Sequence, residues 1–235
     1  MKRTLSIVAI VLIVVASSLV TVACSGGVST EKEWNDAINY LNSCNTVTID
    51  YEKKFYTNLH IKEENETWTV AYNGDTGVLH AVQVVKNFSA SVLKQTTHHQ
   101  IYAVVDSADI KYYTKDFVDS NYKNWSATVI NCANEMEASA KLKELFVEYI
   151  ARFGLDGLNY SEFTRKFSKF EKSEVVGKSD TVTQVTFSDG HISTVYNERK
   201  PQKGSDSIDT TKITITLQYS AEITTPNGLE YANWQ

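Results

Sequence analysis

Ile213-Thr214-Ile215-Thr216-Leu217-Gln218-Tyr219 alternates without a break. Successive side chains of a strand point to opposite faces, so Ile213, Ile215, Leu217 and Tyr219 share one face while Thr214, Thr216 and Gln218 share the other. A strand with one buried and one wet face belongs to an antiparallel sheet packed on a core from one side. The same texture recurs upstream. Residues 181–187 and 191–196 flank Ser188-Asp189-Gly190, and Asp-Gly between two such runs is a strong hairpin signal. Residues 197–211 read as a polar loop leading into the final strand.

The first half carries a second series. Val47-Thr48-Ile49-Asp50-Tyr51 and Trp68-Thr69-Val70-Ala71-Tyr72 alternate, Asn73-Gly74-Asp75-Thr76-Gly77 is a turn cluster, and residues 79–88 resume the pattern. Strands at 98–105 and 110–113 follow, parted by Asp106-Ser107-Ala108-Asp109. Strands joined by short turns form an antiparallel meander. Two helices punctuate the series. Thr30-Glu31-Lys32-Glu33 is a capping box, and Trp34, Ala37, Ile38 and Leu41 then recur at helical spacing until Asn42 and Asn45. The second helix spans 134–153, with Met136, Ala140, Leu145, Phe146, Tyr149, Ile150 and Phe153 assigned to its apolar face and Gly154 at the left-handed cap. Residues 159–170, with Tyr160, Phe163, Phe167 and Phe170, fit neither template. The order helix, meander, helix, meander defines an α+β fold.

The N-terminus reads Met1-Lys2-Arg3, then an uncharged run from Thr4 to Ala23, then Cys24-Ser25-Gly26-Gly27. Two cations before a long apolar stretch form the secretory signal pattern. Thr21-Val22-Ala23 before the cysteine resembles the lipobox of bacterial lipoproteins: Ala23 supplies the small residue that pattern wants, while Thr21 departs from its aliphatic position. The resemblance implies a signal peptide over 1–23, a diacylglyceryl group on Cys24, a flexible tether over 24–29 and one domain over 30–235. An uncleaved membrane-spanning anchor and plain secretion are the competing readings. All three place the domain outside the cytoplasm, and the first anchors it to the outer face of the bacterial cell membrane.

The formal net charge of −5 becomes −7 once Lys2 and Arg3 are set aside, which disfavours a nucleic-acid partner, since that would call for a basic patch. With only 2 Pro and 10 Gly in 235 residues, disorder beyond the tether is not expected. Cys44 and Cys132 either pair as a disulfide, which an extracytoplasmic setting permits, or stay as separate thiols.

This order of elements resembles the LolA/LppX-like superfamily of lipoprotein carriers and lipid-binding lipoproteins. The likeness lies in the hairpin of residues 182–196 around Ser188-Asp189-Gly190, the strand 213–219 with Ala221-Glu222-Ile223 and Pro226 after it, and the opening helix from Thr30 to Trp34 leading to Val47. It implies a strongly curved antiparallel half-barrel with helices packed on or plugging the concave side. It also implies a hydrophobic ligand, a lipid or acyl chain, in whatever part of that face the helices leave open. Val70, Tyr72, Tyr102, Val104, Leu217 and Tyr219 are the expected lining. A cell-surface module that binds another protein and encloses nothing is the alternative.

Catalytic signals are weak. His98 and His99 are adjacent on a strand and so point apart; His60, His80 and His191 are scattered and have no cysteine cluster beside them. Asp106 with Asp109, and Asp206 with Asp209, lack the spacing of a calcium loop. No nucleophile elbow, phosphate loop or dinucleotide fingerprint occurs. The expectation is a binding protein that is not an enzyme, with no metal and no cofactor.

Overall fold

A computed structural model describes residues 28–57, 62–89, 92–205 and 209–235. The signal segment, Cys24, His60 and Asp206 lie outside the described residues. Helix α1 (Glu31–Ser43) is followed by strands β1 (Thr46–Thr57), β2 (Lys62–Asn73), β3 (Val78–Ser89), β4 (Val92–Asp106), β5 (Asp109–Val118) and β6 (Ser126–Asn131). Helix α2 (Glu135–Arg152) leads to β7 (Thr164–Lys166), β8 (Lys169–Val176), β9 (Ser179–Ser188), β10 (His191–Pro201), β11 (Asp209–Gln218) and the short β12 (Asn233–Trp234).

All twelve strands form one open, curved sheet in the order β12-β6-β5-β4-β3-β2-β1-β11-β10-β9-β8-β7. The two meanders meet where β1 runs antiparallel to β11, with Ile49 opposite Leu217 and Tyr51 opposite Ile215. Among the described residues only β12, beside β6, is parallel to its neighbour. Both helices lie on the concave face, the half-barrel arrangement that the sequence suggests.

Helix α1 begins as a capping box should. Thr30 Oγ1 accepts from Glu33 N, and the Glu33 carboxylate takes the amides of Ser29 and Thr30, bonds that hold its pKa down to about 2. Trp34, Ala37 and Leu41 are buried. Residues 159–170 supply what Trp34 packs against. Its ring lies 5.1 Å from Phe163, 5.1 Å from Phe170, 5.2 Å from Phe187 and 5.9 Å from Tyr160, and its Nε1 donates to Leu158 O at 3.2 Å. Val28, two residues ahead of Thr30, is buried in the same core.

Asn134 caps α2. The stripe it buries is Ala138, Leu142, Phe146, Tyr149 and Ile150; Met136 is 80% exposed and Ala140 faces solvent, so the inward face sits a fraction of a turn from the expected one. The chain leaves α2 through Gly154 at φ +70°, with Leu155 N reaching back to Ile150 O at 3.0 Å.

Two further elements depart from expectation. Most of the polar stretch 197–211 is ladder: β10 continues to Pro201 and β11 starts at Asp209. Polar residues make up this end of the sheet, and Ser179, Thr181 and Thr210 among them are buried. Residues 220–232, which include the Ala221-Glu222-Ile223 and Pro226 of the family likeness, form no strand but strap the convex face. Ser220 O accepts from Thr48 Oγ1 at 2.8 Å, Ala221 O from Asn73 Nδ2 at 3.3 Å, and Asn227 O from Trp125 Nε1 at 3.1 Å. The strap covers a second small core of Tyr102, Tyr113, Trp125 and Ala127 with Ile223, Leu229 and Ala232.

Trp34 is the residue through which α1, the 159–170 segment and the β8–β9 hairpin hold one another. Trp34→Ala is expected to cost about 3–5 kcal/mol, read as a lowered urea midpoint with an unchanged slope.

Candidate functional site

One row of cross-strand neighbours on the concave face explains where a site can form. It runs Phe170, Val185, Val195, Ile215, Tyr51, Trp68, Gln83, His99 and Asp116 from β8 to β5. The first six are apolar or aromatic and lie in or against the main core. The last three are polar, and they begin where α2 ends.

The floor at this junction is a hydrogen-bonded network. Trp68 is 2% exposed, and its Nε1 donates to Glu66 Oε1 at 2.8 Å; Gln83 Nε2 donates to the same oxygen at 2.7 Å. Lys53 Nζ stands 3.4 Å from Glu64 and 3.9 Å from Glu66. The Arg152 guanidinium, in the last turn of α2, lies 4.5 Å over the Trp68 ring. His99 Nδ1 is 2.5 Å from Asp116 Oδ1, and the His99 ring meets Trp68 edge-on at 6.3 Å.

Two cavities open on either side of this junction. Between α2 and the sheet, Leu79, Ile101, Tyr112, Leu145, Glu148, Tyr149 and Arg152 line about 380 Å³. Beyond the helix end, about 650 Å³ is bordered by Gln83, Thr97, His99, Asp116 and Lys123 among others. Ile101 and His99 are alternate residues on one face of β4, so the cavities follow each other along that strand, with Trp68 and Arg152 between. The volumes fall in the range of small-ligand sites. Burial pushes the phenols of Tyr149 and Tyr112 up, with nearby Tyr112 and Glu148 adding respectively; both hydroxyls therefore remain protonated and able to donate.

The six expected lining residues do not gather in one groove. Val70, Tyr72 and Leu217 are buried in the main core, where Tyr72 stacks on Phe146 at 4.8 Å. Tyr219 closes the far end, donating to Ile192 O at 3.0 Å beside Tyr40 and His191. Tyr102 and Val104 are on the opposite, convex face under the C-terminal strap. The reason is parity: Tyr102 pairs with His80 and Val104 with Val78, one residue out of phase with the row through Val70, Ala81 and Ile101. Around α1 the concave face is filled with side chains, and the part left open beside α2 is lined by polar as well as apolar groups.

Cys44 and Cys132 are separate thiols. Cys44 Sγ donates to Leu41 O at 3.2 Å and Cys132 Sγ to Ile130 O at 3.7 Å, so each is satisfied within its own segment. His98 turns away from His99 and stacks on Phe117 at 4.3 Å. Among the described residues no three His, Cys, Asp or Glu side chains converge as a metal site would require. Nor is any described helix long and apolar enough to cross a membrane.

No family model matches the sequence, and no curated protein does. Among solved structures the chain is similar to a beta-barrel-like protein of the domain of unknown function DUF1849 from Brucella abortus, at 11% identity over 77% of this chain and 99% of that one, with a TM-score of 0.33.

Glu66 is the hinge of the junction network. Glu66→Ala leaves the buried Trp68 indole N–H and the Gln83 amide without their acceptor, and an unsatisfied buried donor costs about 1–3 kcal/mol. Urea unfolding followed by tryptophan fluorescence should show a loss of that size, most of it restored by Glu66→Gln.

Proposed function

We propose that this chain is a lipoprotein, anchored through Cys24 to the outer face of the bacterial cell membrane, that binds an amphiphile in the trough along β4. The observation that carries the reading is the change of character at Trp68: the wall is apolar under α2 and polar beyond it. An acyl chain would lie between Leu145 and Tyr149 of α2 and Leu79, Ile101 and Tyr112 of the sheet. Its polar head would meet Arg152, Gln83, His99 and Asp116, which offer both charges and several donors. The lipobox-like Thr21-Val22-Ala23-Cys24 and the likeness in element order to the LolA/LppX-like superfamily support the same conclusion. The role proposed is to hold a molecule rather than to transform it; in the trough Gln83 is tied to Glu66 and His99 to Asp116.

Native mass spectrometry of the full chain made in its own host tests this. Wild type should carry one amphiphile per chain. Ile101→Trp and Leu145→Trp, which fill the 380 Å³ gap, should lose it while keeping their melting temperatures. Ligand-free wild type in repeated preparations would end the proposal.

A protein-binding module is a second reading, and one feature favours it. β12 pairs β6 only at Ser126 and Ala127, so residues 128–131 present a sheet edge flanked by exposed Val129 and Trp234. A partner strand could add there. Under this reading, Val129→Lys abolishes an in-cell cross-link formed from Trp234→benzoylphenylalanine and leaves amphiphile binding intact; absence of any cross-link in the unmutated background counts against it.

A further inference from the structure

The hairpin joining β7 to β8 has a tip that the core does not explain. Lys166 pairs with Lys169, which leaves Phe167 and Ser168 as a two-residue turn. Phe167 sits at φ +50°, a region that favours glycine and makes a bulky residue an outlier. Its side chain is fully exposed, at 103% of the reference area. An aromatic held in strained backbone and left to solvent points to a use outside the domain. The base of the same hairpin is rigid, because Phe170 is locked against Trp34 and Phe187.

Charge and chain length say what that use is. Arg165, Lys166 and Lys169 surround the tip of a chain whose net charge is −5. Glu171 takes Lys166 at 2.5 Å and Lys169 at 3.5 Å, while Arg165 has no ion pair among the described residues, so the tip keeps a positive excess. Val28 shares a small crevice with Arg165, Phe167, Ser168, Phe170 and Phe187. It stands four residues after Cys24, and four residues of fully extended chain span at most about 14 Å. A lipid on Cys24 therefore enters its membrane within about that distance of the crevice that Val28 shares with the tip. We infer that the β7–β8 tip is a second membrane contact, with Phe167 inserted among lipid headgroups and Arg165, Lys166 and Lys169 against the phosphates of anionic phospholipid. One acyl anchor fixes a point; a second contact beside it fixes the domain's orientation, and basic residues near an anionic bilayer are drawn to its surface.

The inference rests on acylation of Cys24, and the test separates the two. Full-chain protein is placed on vesicles of phosphatidylglycerol and phosphatidylcholine in equal parts, and its intact mass is measured first. With Cys24 acylated, Phe167→Trp should emit to the blue of its emission in detergent-free buffer and be quenched by brominated acyl chains. Reversing the charges of Arg165, Lys166 and Lys169 to Glu should abolish both effects. Trypsin should spare Arg165 and Lys166 on vesicles but cut them in Phe167→Gly, a variant that relieves the strained backbone and so keeps or raises the melting temperature. An acylated protein whose Phe167→Trp is neither shifted nor quenched overturns the membrane contact and leaves the anchor standing. An unmodified Cys24 overturns the anchor, and the contact argued from it falls with it.

Discussion

Everything in this fold follows from the pairing of β1 with β11. Ten residues of β1, from Thr48 to Thr57, oppose Gln218 to Asp209, and this ladder alone turns two local meanders into one sheet. It sets Ile49 against Leu217 and Tyr51 against Ile215, and through them the phase of every concave-face row. A slip of one residue would turn each side chain of one meander to the wrong face. The ladder closes a loop of more than 150 residues, so its cost in chain entropy must be met by the core it completes. That core is the one reached by Trp34 from α1 and Phe146 from α2.

What the sequence discloses, and what it does not, follows from the same geometry. Alternation is local: it identifies residues 213–219 as a strand with a wet face, and 181–196 as a hairpin, without any knowledge of partners. The phase of one strand against another is not local. Val70 and Tyr102 each sit in a clean alternating run, yet they face opposite sides of the sheet, because only the register through Ala81 and His80 fixes which parity is inward. Tyr102 and Val104 belong to a core, but to the small one that a strap makes on the convex face. Residues 220–232, which form that strap, carry no periodicity by which it could be recognised. For the same reason His99, Gln83 and Asp116 were not legible as neighbours: they come from three strands and share only a register row.

The helices illustrate a narrower version of this limit. Thr30 and Asn134 are plain N-caps because a cap is a matter of three or four consecutive residues. Which stripe of α2 turns inward depends on how the helix rolls on the sheet, and Leu142 with Ala138 took the place that Met136 and Ala140 were expected to fill. Residues 159–170 were ambiguous because their order is made by Trp34, more than a hundred positions away.

The trough and the hairpin tip are consistent with one division of labour across the sheet. Strands β8 to β11 with α1 form a filled, aromatic half, built around Trp34 and reaching Val28. Strands β2 to β5 with α2 form the half in which the helix stops short, and there the register row turns from Trp68 to Gln83, His99 and Asp116. Had α2 been two turns longer, its apolar stripe would have covered those polar groups, and burying them would have been costly without new partners. The end of α2 at Arg152, followed by Gly154 at positive φ, is therefore what keeps the polar end of the row open. Arg152 does a further job by lying over Trp68, its guanidinium on the face of the last aromatic ring before the polar groups begin.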